Sequence, residues 1–228
     1  MSRELKNLSL FLVVYSALAA GILFFPIGIR TGQKMGILVC IFILSMIYLI
    51  EIHKAIGGKK LFYFSLLTSL FQVFPDWFLS KVLAVLVFPE DGFPKIGTVS
   101  LYMAGLWTIP LFLSARFARM LTEQGVLPRT FIHFTTGIIA LIIFWISEET
   151  MHLIPVWHAQ NVQTIGNSAI YVLPAEFLLG LFFSYTYEQA KDSSLGARIL
   201  HSASVALFYT GALTISFLLV EKYIFKFH

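Results

Sequence analysis

Seven apolar stretches, at about residues 8–29, 35–53, 61–88, 96–116, 129–147, 166–187 and 198–220, divide this chain, with polar or Gly- and Pro-bearing breaks between them. Several approach the ~20 residues that a helix needs to cross a bilayer. The 228 residues are 58% hydrophobic and 12% charged, and the mean hydropathy is +0.83. That leaves too little polar surface for a soluble globule. The pattern predicts an all-α, polytopic (multi-pass) integral membrane protein, a single bundle of about seven transmembrane helices forming one domain over residues 1–228. No hydrophilic segment is long enough for a domain outside the membrane, and no heptad, low-complexity tract or repeat of about 20 to 50 residues is visible.

Most Lys and Arg residues fall on one side of such a bundle: Arg3, Lys6, Lys54, Lys59, Lys60, Arg116, Arg119, Arg129, Lys191 and Arg198. The positive-inside rule then places the N-terminus inside and the C-terminus outside. The net charge of +4 is spread over loop ends, which suits contact with lipid headgroups and not a nucleic-acid surface. The N-terminal apolar run is too long for a signal-peptide core and reads as a retained first helix. Cys40 lies within an apolar run as a buried, inert thiol.

Against this background, polar groups inside the runs carry the information. Glu176 stands near the centre of Gly166–Tyr187, just after Pro174. A carboxylate at mid-membrane costs about 2.5 to 3.5 kcal/mol on insertion scales, so it has either a chemical role or a structural one bonded to neighbouring helices. Asp76, after Pro75 in the third run, and Glu148 and Glu149 at the end of the fifth are the other candidates; Glu51 and Glu221 sit at run ends, where snorkelling to water explains them. At 1.5 Å per residue, Asp76 and Glu176 lie at similar depths, about 18 and 15 Å below the outer ends of their runs. Asp76 could instead begin a helical turn at the Pro75 break.

Aromatics make up 16% of the chain. Trp77, Trp107 and Trp145 lie in the same half as the acids, with Tyr102, Tyr171 and Tyr209 at interior depths. Burial disfavours the charged form of a carboxyl and keeps it able to donate a proton, and ring faces stabilise a desolvated cation by about 2 kcal/mol. An acid pocket with aromatic walls could therefore make and steer a carbocation. The loop after the fifth run, with Trp157, His158, Gln160 and Asn161, either caps such a cavity or anchors at the interface. A metal set built from Glu148, His152, His158, His133 and His201 is a weaker pattern, with no HExxH and no Cys pair. P-loop, dinucleotide and nucleophile-elbow motifs are absent, so no cofactor and no metal are expected.

The segment PDWFLSKVLAVLVFPEDGFPKIGTVSLYMAGLWTIPLF and the later SEETMHLIPVWHAQ and GNSAIYVLPAEFLLGLFF resemble the small integral-membrane carotenoid hydratases and lycopene cyclases over about residues 70–187. The membrane-bound meroterpenoid cyclases are similar, with compact seven-helix bundles. The resemblance implies acid roles for Asp76, for the pair Glu148 and Glu149, and for Glu176. Lycopene cyclases tend to carry two adjacent acids after the Pro, whereas here Pro174 is followed by Ala175 and one acid.

These readings predict a terpenoid or carotenoid-type cyclase or hydratase that uses acid-initiated carbocation chemistry on a lipophilic prenyl substrate drawn from the bilayer. Asp76 and Glu176 would be the acid–base pair, Glu148 or Glu149 would assist, and Trp77, Tyr102, Trp107, Trp145, Tyr171 and Tyr209 would shape the pocket. The alternatives are a non-catalytic binder or transporter of lipids or small molecules, and a metal-dependent membrane lipid hydrolase.

Overall fold

The computed structural model describes residues 3–26, 28–151 and 153–225, apart from the side chain of Met151. The chain is nearly all α-helical. The helices are α1 (Arg3–Phe24), α2 (Thr31–Ile47), α3 (Lys59–Phe71), α4 (Val73–Trp77), α5 (Met103–Leu106), α6 (Thr108–Glu123), α7 (Ile132–Met151), α8 (Val172–Ala190) and α9 (Leu195–Phe217). α2, α4 and α9 each widen into a π turn at the C-terminal end, at Tyr48–Ile52, Phe78–Val82 and Leu218–Ile224. Four helical stretches among the described residues are long and apolar enough to cross a membrane: Arg3–Phe24, Thr31–Ile52, Arg129–Thr150 and Leu195–Ile224. Many large apolar side chains point outward along them, including Leu10, Val13, Leu44, Ile142 and Leu207, as expected where lipid replaces water as the solvent.

Pro75 shapes the third helical passage. It has no N–H to bond back into α3, so the chain turns at Gln72 and restarts as α4, and the Asp76 N–H to Gln72 carbonyl bond is stretched to 3.4 Å. The passage ends at Val82, short of the run of 61–88 read from the sequence, because Leu86–Val87 forms strand β1.

Similar substitutions of strand for helix occur twice more. Lys95–Ile96 (β2) and Val99–Ser100 (β3) form one hairpin, and Thr164–Ile165 (β5) and Ser168–Ala169 (β6) form another. Each turns through an Ile-Gly pair whose glycine has positive φ, +61° at Gly97 and +62° at Gly166, a conformation that favours Gly. Each hairpin leads into a helix capped by tyrosine, Tyr102 before α5 and Tyr171 before α8. Between them β1 pairs antiparallel with β4 (His158–Ala159), Leu86 opposite Ala159 and Val87 opposite His158. The unit of helix, strand, hairpin and helix therefore occurs twice, related about a local two-fold between β1 and β4. This repeat is longer than the 20 to 50 residues of common repeat classes.

The opposite end of the bundle is held by charge. Arg116 of α6 is buried, yet its guanidinium bonds to Glu4 at 2.6 Å and to Glu123 at 2.9 Å. Arg119 bonds to Glu188 at 2.7 Å and lies 4.6 Å from the centre of the Tyr187 ring. Lys60 reaches Asp192 across the surface. α7 and α8 approach through small residues: a Cβ on Gly180 would stand 2.5 Å from that of Ala140 and 3.0 Å from the Gly137 Cα. Cys40 is exposed on the outside of α2, not buried.

Candidate active site

Where the strand-bearing end meets the helices, a cavity of about 240 Å³ opens inside the bundle. α4 brings Asp76 to it, α7 brings Glu148 and α8 brings Glu176, and Trp107, Phe144, Trp157, Tyr171 and Tyr209 supply ring walls. The rest of the lining, Met35, Leu79, Met103 and Ile143 among it, is apolar apart from Ser147. Asp76 and Glu176 are each only 3% exposed.

Each carboxyl has a different setting. The Trp107 indole N–H donates to Asp76 Oδ2 at 2.9 Å. The Trp157 N–H donates to Glu148 Oε1 at 3.0 Å. Indole can only donate, so each fixes one oxygen of its carboxyl as an acceptor. Glu176 Oε2 is buried with no hydrogen-bond partner among the described residues. Glu148 lies within electrostatic reach of both Asp76 and Glu176. The Trp107 ring is itself held, 5.1 Å from Phe144 and 5.6 Å from Tyr209.

The repeat explains how the groups meet. Asp76 stands as far before β1 in sequence as Glu148 stands before β4, and Trp107 as far after Tyr102 as Glu176 after Tyr171. Asp76 and Glu148 are thus equivalent positions of the two halves, as are Trp107 and Glu176. The strands also bring the acids nearer the ends of their helices: with α8 starting at Val172, Glu176 lies only about 6 Å along its helix, and Asp76 about 9 Å from Val82. Both distances are shorter than those counted from the ends of the apolar runs.

Four of the expected site residues lie elsewhere. Glu149 follows Glu148 by about 100° of helix rotation, which turns it out of the cavity and onto the second hairpin, where it accepts from Ser168 Oγ at 2.7 Å and from the Asn167 N–H at 3.1 Å. Tyr102 is buried but donates to Asp91 Oδ2 at 2.9 Å, so it braces the first hairpin. Trp77 packs by Phe74 and Gly97 on the outside of α4, and Trp145 is exposed on the outer face of α7. Glu221 is 1% exposed and accepts the Gln163 N–H through both oxygens, a loop brace and not a snorkelling end group.

Sequence reading left Trp157 open between cap and interface anchor, and gave no role to Asp91. The pairing of β4 with β1, backed by Gln160 donating to the carbonyls of Val85 and Ala84, carries Trp157 over the cavity. Asp91 accepts from Phe93 N–H, Ser100 and Tyr102; its place just before a Gly in a turn was the available signal. Among the described residues no three His, Cys, Asp or Glu side chains come close enough to share an ion. His133 bonds to Ser184, His158 sits in β4, and His152 lies outside the described residues.

No curated protein and no solved structure matches the chain. A family model does: it spans residues 73–220, from α4 to the end of α9, and so takes in both halves of the repeat and all three cavity carboxyls. On that match the chain belongs to the family described as a domain of unknown function, DUF6989.

Proposed function

We propose that this is a multi-pass membrane enzyme, a terpenoid cyclase or hydratase that starts carbocation chemistry by protonating a lipophilic prenyl substrate. The observation that carries the reading is the meeting of Asp76, Glu148 and Glu176, from three separate helices, in one aromatic-walled cavity. Three acids on apolar helices are expensive to keep in a membrane, and a shared pocket gives them a common purpose. All seven helical passages cross the bilayer, with the ion-paired end inside, as the distribution of Lys and Arg favours.

Chemically, the carboxyl O–H bond of the acid breaks as a new C–H bond forms on an alkene, or a new O–H bond on an epoxide. The positive charge left on carbon is met by the faces of Trp107, Phe144, Tyr171 and Tyr209, each ring worth about 2 kcal/mol to a desolvated cation. A second carboxyl ends the reaction by taking a proton from the adjacent carbon, giving an alkene, or from an added water, giving an alcohol. Asp76 and Glu176 form this acid–base pair, and Glu148 stands between them electrostatically.

The test is conversion of prenylated substrates by purified protein in lipid nanodiscs. Asp76→Asn and Glu176→Gln each lower product formation by about a hundredfold or more while thermal unfolding stays near that of the parent. If both variants turn over at the parent rate, the reading is wrong.

A further inference from the structure

Between the cavity and the ion-paired end, the three carboxyls rest on different ground. Successive turns of α7 below Glu148 present Phe144 and Ala140, and those of α8 below Glu176 present Leu179, Gly180 and Phe183, all buried and apolar. The hydroxyls further down on that side, Thr136 and Ser184, are already hydrogen-bonded, to the Ile132 carbonyl and to His133. Below Asp76 the succession is Gln72, Ser69, Thr68 and Ser65, every one fully buried. Their spacing places them with Asp76 along one face of the α3–α4 passage.

Neighbouring elements extend this column. Thr108, next in sequence to Trp107, and Ser202 of α9 are also fully buried. Thr68 donates to Ser202 Oγ at 3.3 Å. One turn along α9 from Ser202 stands Arg198, and α9 begins beside the exposed Lys60–Asp192 pair.

At its lower part Ser65 donates to the Leu61 carbonyl and Thr68 to Ser202, but the other side chains carry unsatisfied atoms. Ser69 Oγ, both ends of the Gln72 amide, Thr108 Oγ and, at the lower end, Arg198 Nε are buried with no hydrogen-bond partner among the described residues. Native interiors seldom leave such atoms unpaired, and an amide unsatisfied at both ends is what an internal water bridges. A run of these atoms leading from bulk water to one carboxyl is a feature that packing alone does not require.

We propose that the column is a water-bridged proton route from the ion-paired end to Asp76, and that it makes Asp76 the carboxyl reloaded after each turnover. The assignment rests on the acid-chemistry reading and orders the pair that reading leaves unordered. Asp76 gives its proton to the substrate and is left as carboxylate. A column water then passes a proton to it, and bulk water at the far end makes good that proton. The proton released by the substrate cation goes to Glu176 or Glu148, which have no such column and return it through the cavity. Asp76 is thus served from behind, by a route separate from the one that carries protons out through the cavity.

The experiment needs no substrate in its first arm. In full-length protein in nanodiscs, the infrared carboxyl band lost in Asp76→Asn is followed after a jump into D2O. Exchange at Asp76 slows roughly tenfold or more in Gln72→Leu, which keeps the size but not the hydrogen bonds, and stays near the parent rate in Gln72→Glu, which keeps the size and a group that can bond and relay a proton through water. Equal exchange in parent and Gln72→Leu overturns the proposal, and so does equal slowing in the two variants, which would mark a packing effect. The second arm uses substrate: Gln72→Leu completes a first turnover at the parent rate and slows in the steady state. Should no prenyl substrate be converted by the parent while the exchange result holds, the enzyme reading falls and the proton route stands.

Discussion

At the scale of single residues, Trp107 and Asp76 are the most informative pair. The indole N–H is the only side-chain donor to the Asp76 carboxyl among the described residues, the Ser80 hydroxyl bonding the backbone carbonyl, and Phe at position 107 would keep the ring wall while removing that donor. Leaving a buried acceptor unpaired costs about 1 to 3 kcal/mol. Trp107→Phe is therefore expected to slow product formation by roughly ten- to a hundredfold with little change in the binding of an unreactive substrate analogue. Glu148 and Glu149 give the complementary contrast. Glu149→Gln weakens the hold on the Ser168 hydroxyl and the Asn167 N–H, so it should lower the denaturation midpoint and spare the chemistry. Denaturation in detergent beside a turnover assay separates the two, and a turnover loss at Glu149 as large as at Glu176 would place it back among the site acids.

At the scale of elements, packing and charge divide the labour. Gly180 lets α8 close on Gly137 and Ala140, and because the Ala140 Cβ and the backbone atoms of Gly137 and Thr136 that crowd it cannot turn aside, Gly180→Val should cost about 1 to 3 kcal/mol by overpacking and lower the melting temperature accordingly. At the charged end, Arg116→Ala strands Glu4 and Glu123 beside a vacated site. Removing one partner of a buried pair costs about 3 to 5 kcal/mol, with the lower figure apt here because Glu123 is largely exposed. Elements were also where reading the sequence met its limit. The helical passages were legible from their apolar length, and the Pro75 break from the missing N–H. The hairpins were not, since Ile96-Gly97 and Ile165-Gly166 begin stretches as apolar as the helices they precede, and short apolar runs do not reveal their period. That ambiguity shifted the starts of the fourth and sixth passages, and the same one at Leu86–Val87 the end of the third, so Asp76 and Glu176 stand nearer their helix ends than the run lengths imply. Gln72 escaped for another reason: a single amide inside an apolar run carries no pattern of its own, and its burial beside Ser69 and Thr68 shows only in the fold.

For the molecule as a whole, the inside placement of the charged end is open to direct measurement. With Cys40 replaced by Ala, a cysteine at Glu90 should react with a membrane-impermeant maleimide added to intact cells, and one at Asp192 only after the membrane is opened. Equal labelling of both positions from outside would reverse or break the assigned orientation. The repeat bears on the same scale. It was invisible as sequence because the two copies agree in little beyond an Ile-Gly turn and a Tyr; the conformations at Gly97 and Gly166, and the β1–β4 pairing, are what make it plain. A cradle made of two matching halves would offer the same face at each end, and an elongated guest could lie in it either way round. Trp107 standing where its counterpart is Glu176 removes that indifference. One end of the cradle then presents Asp76 with its indole alone and the other Glu148, with an indole of its own, beside a second acid, Glu176, so head and tail of whatever enters are told apart before any bond is made.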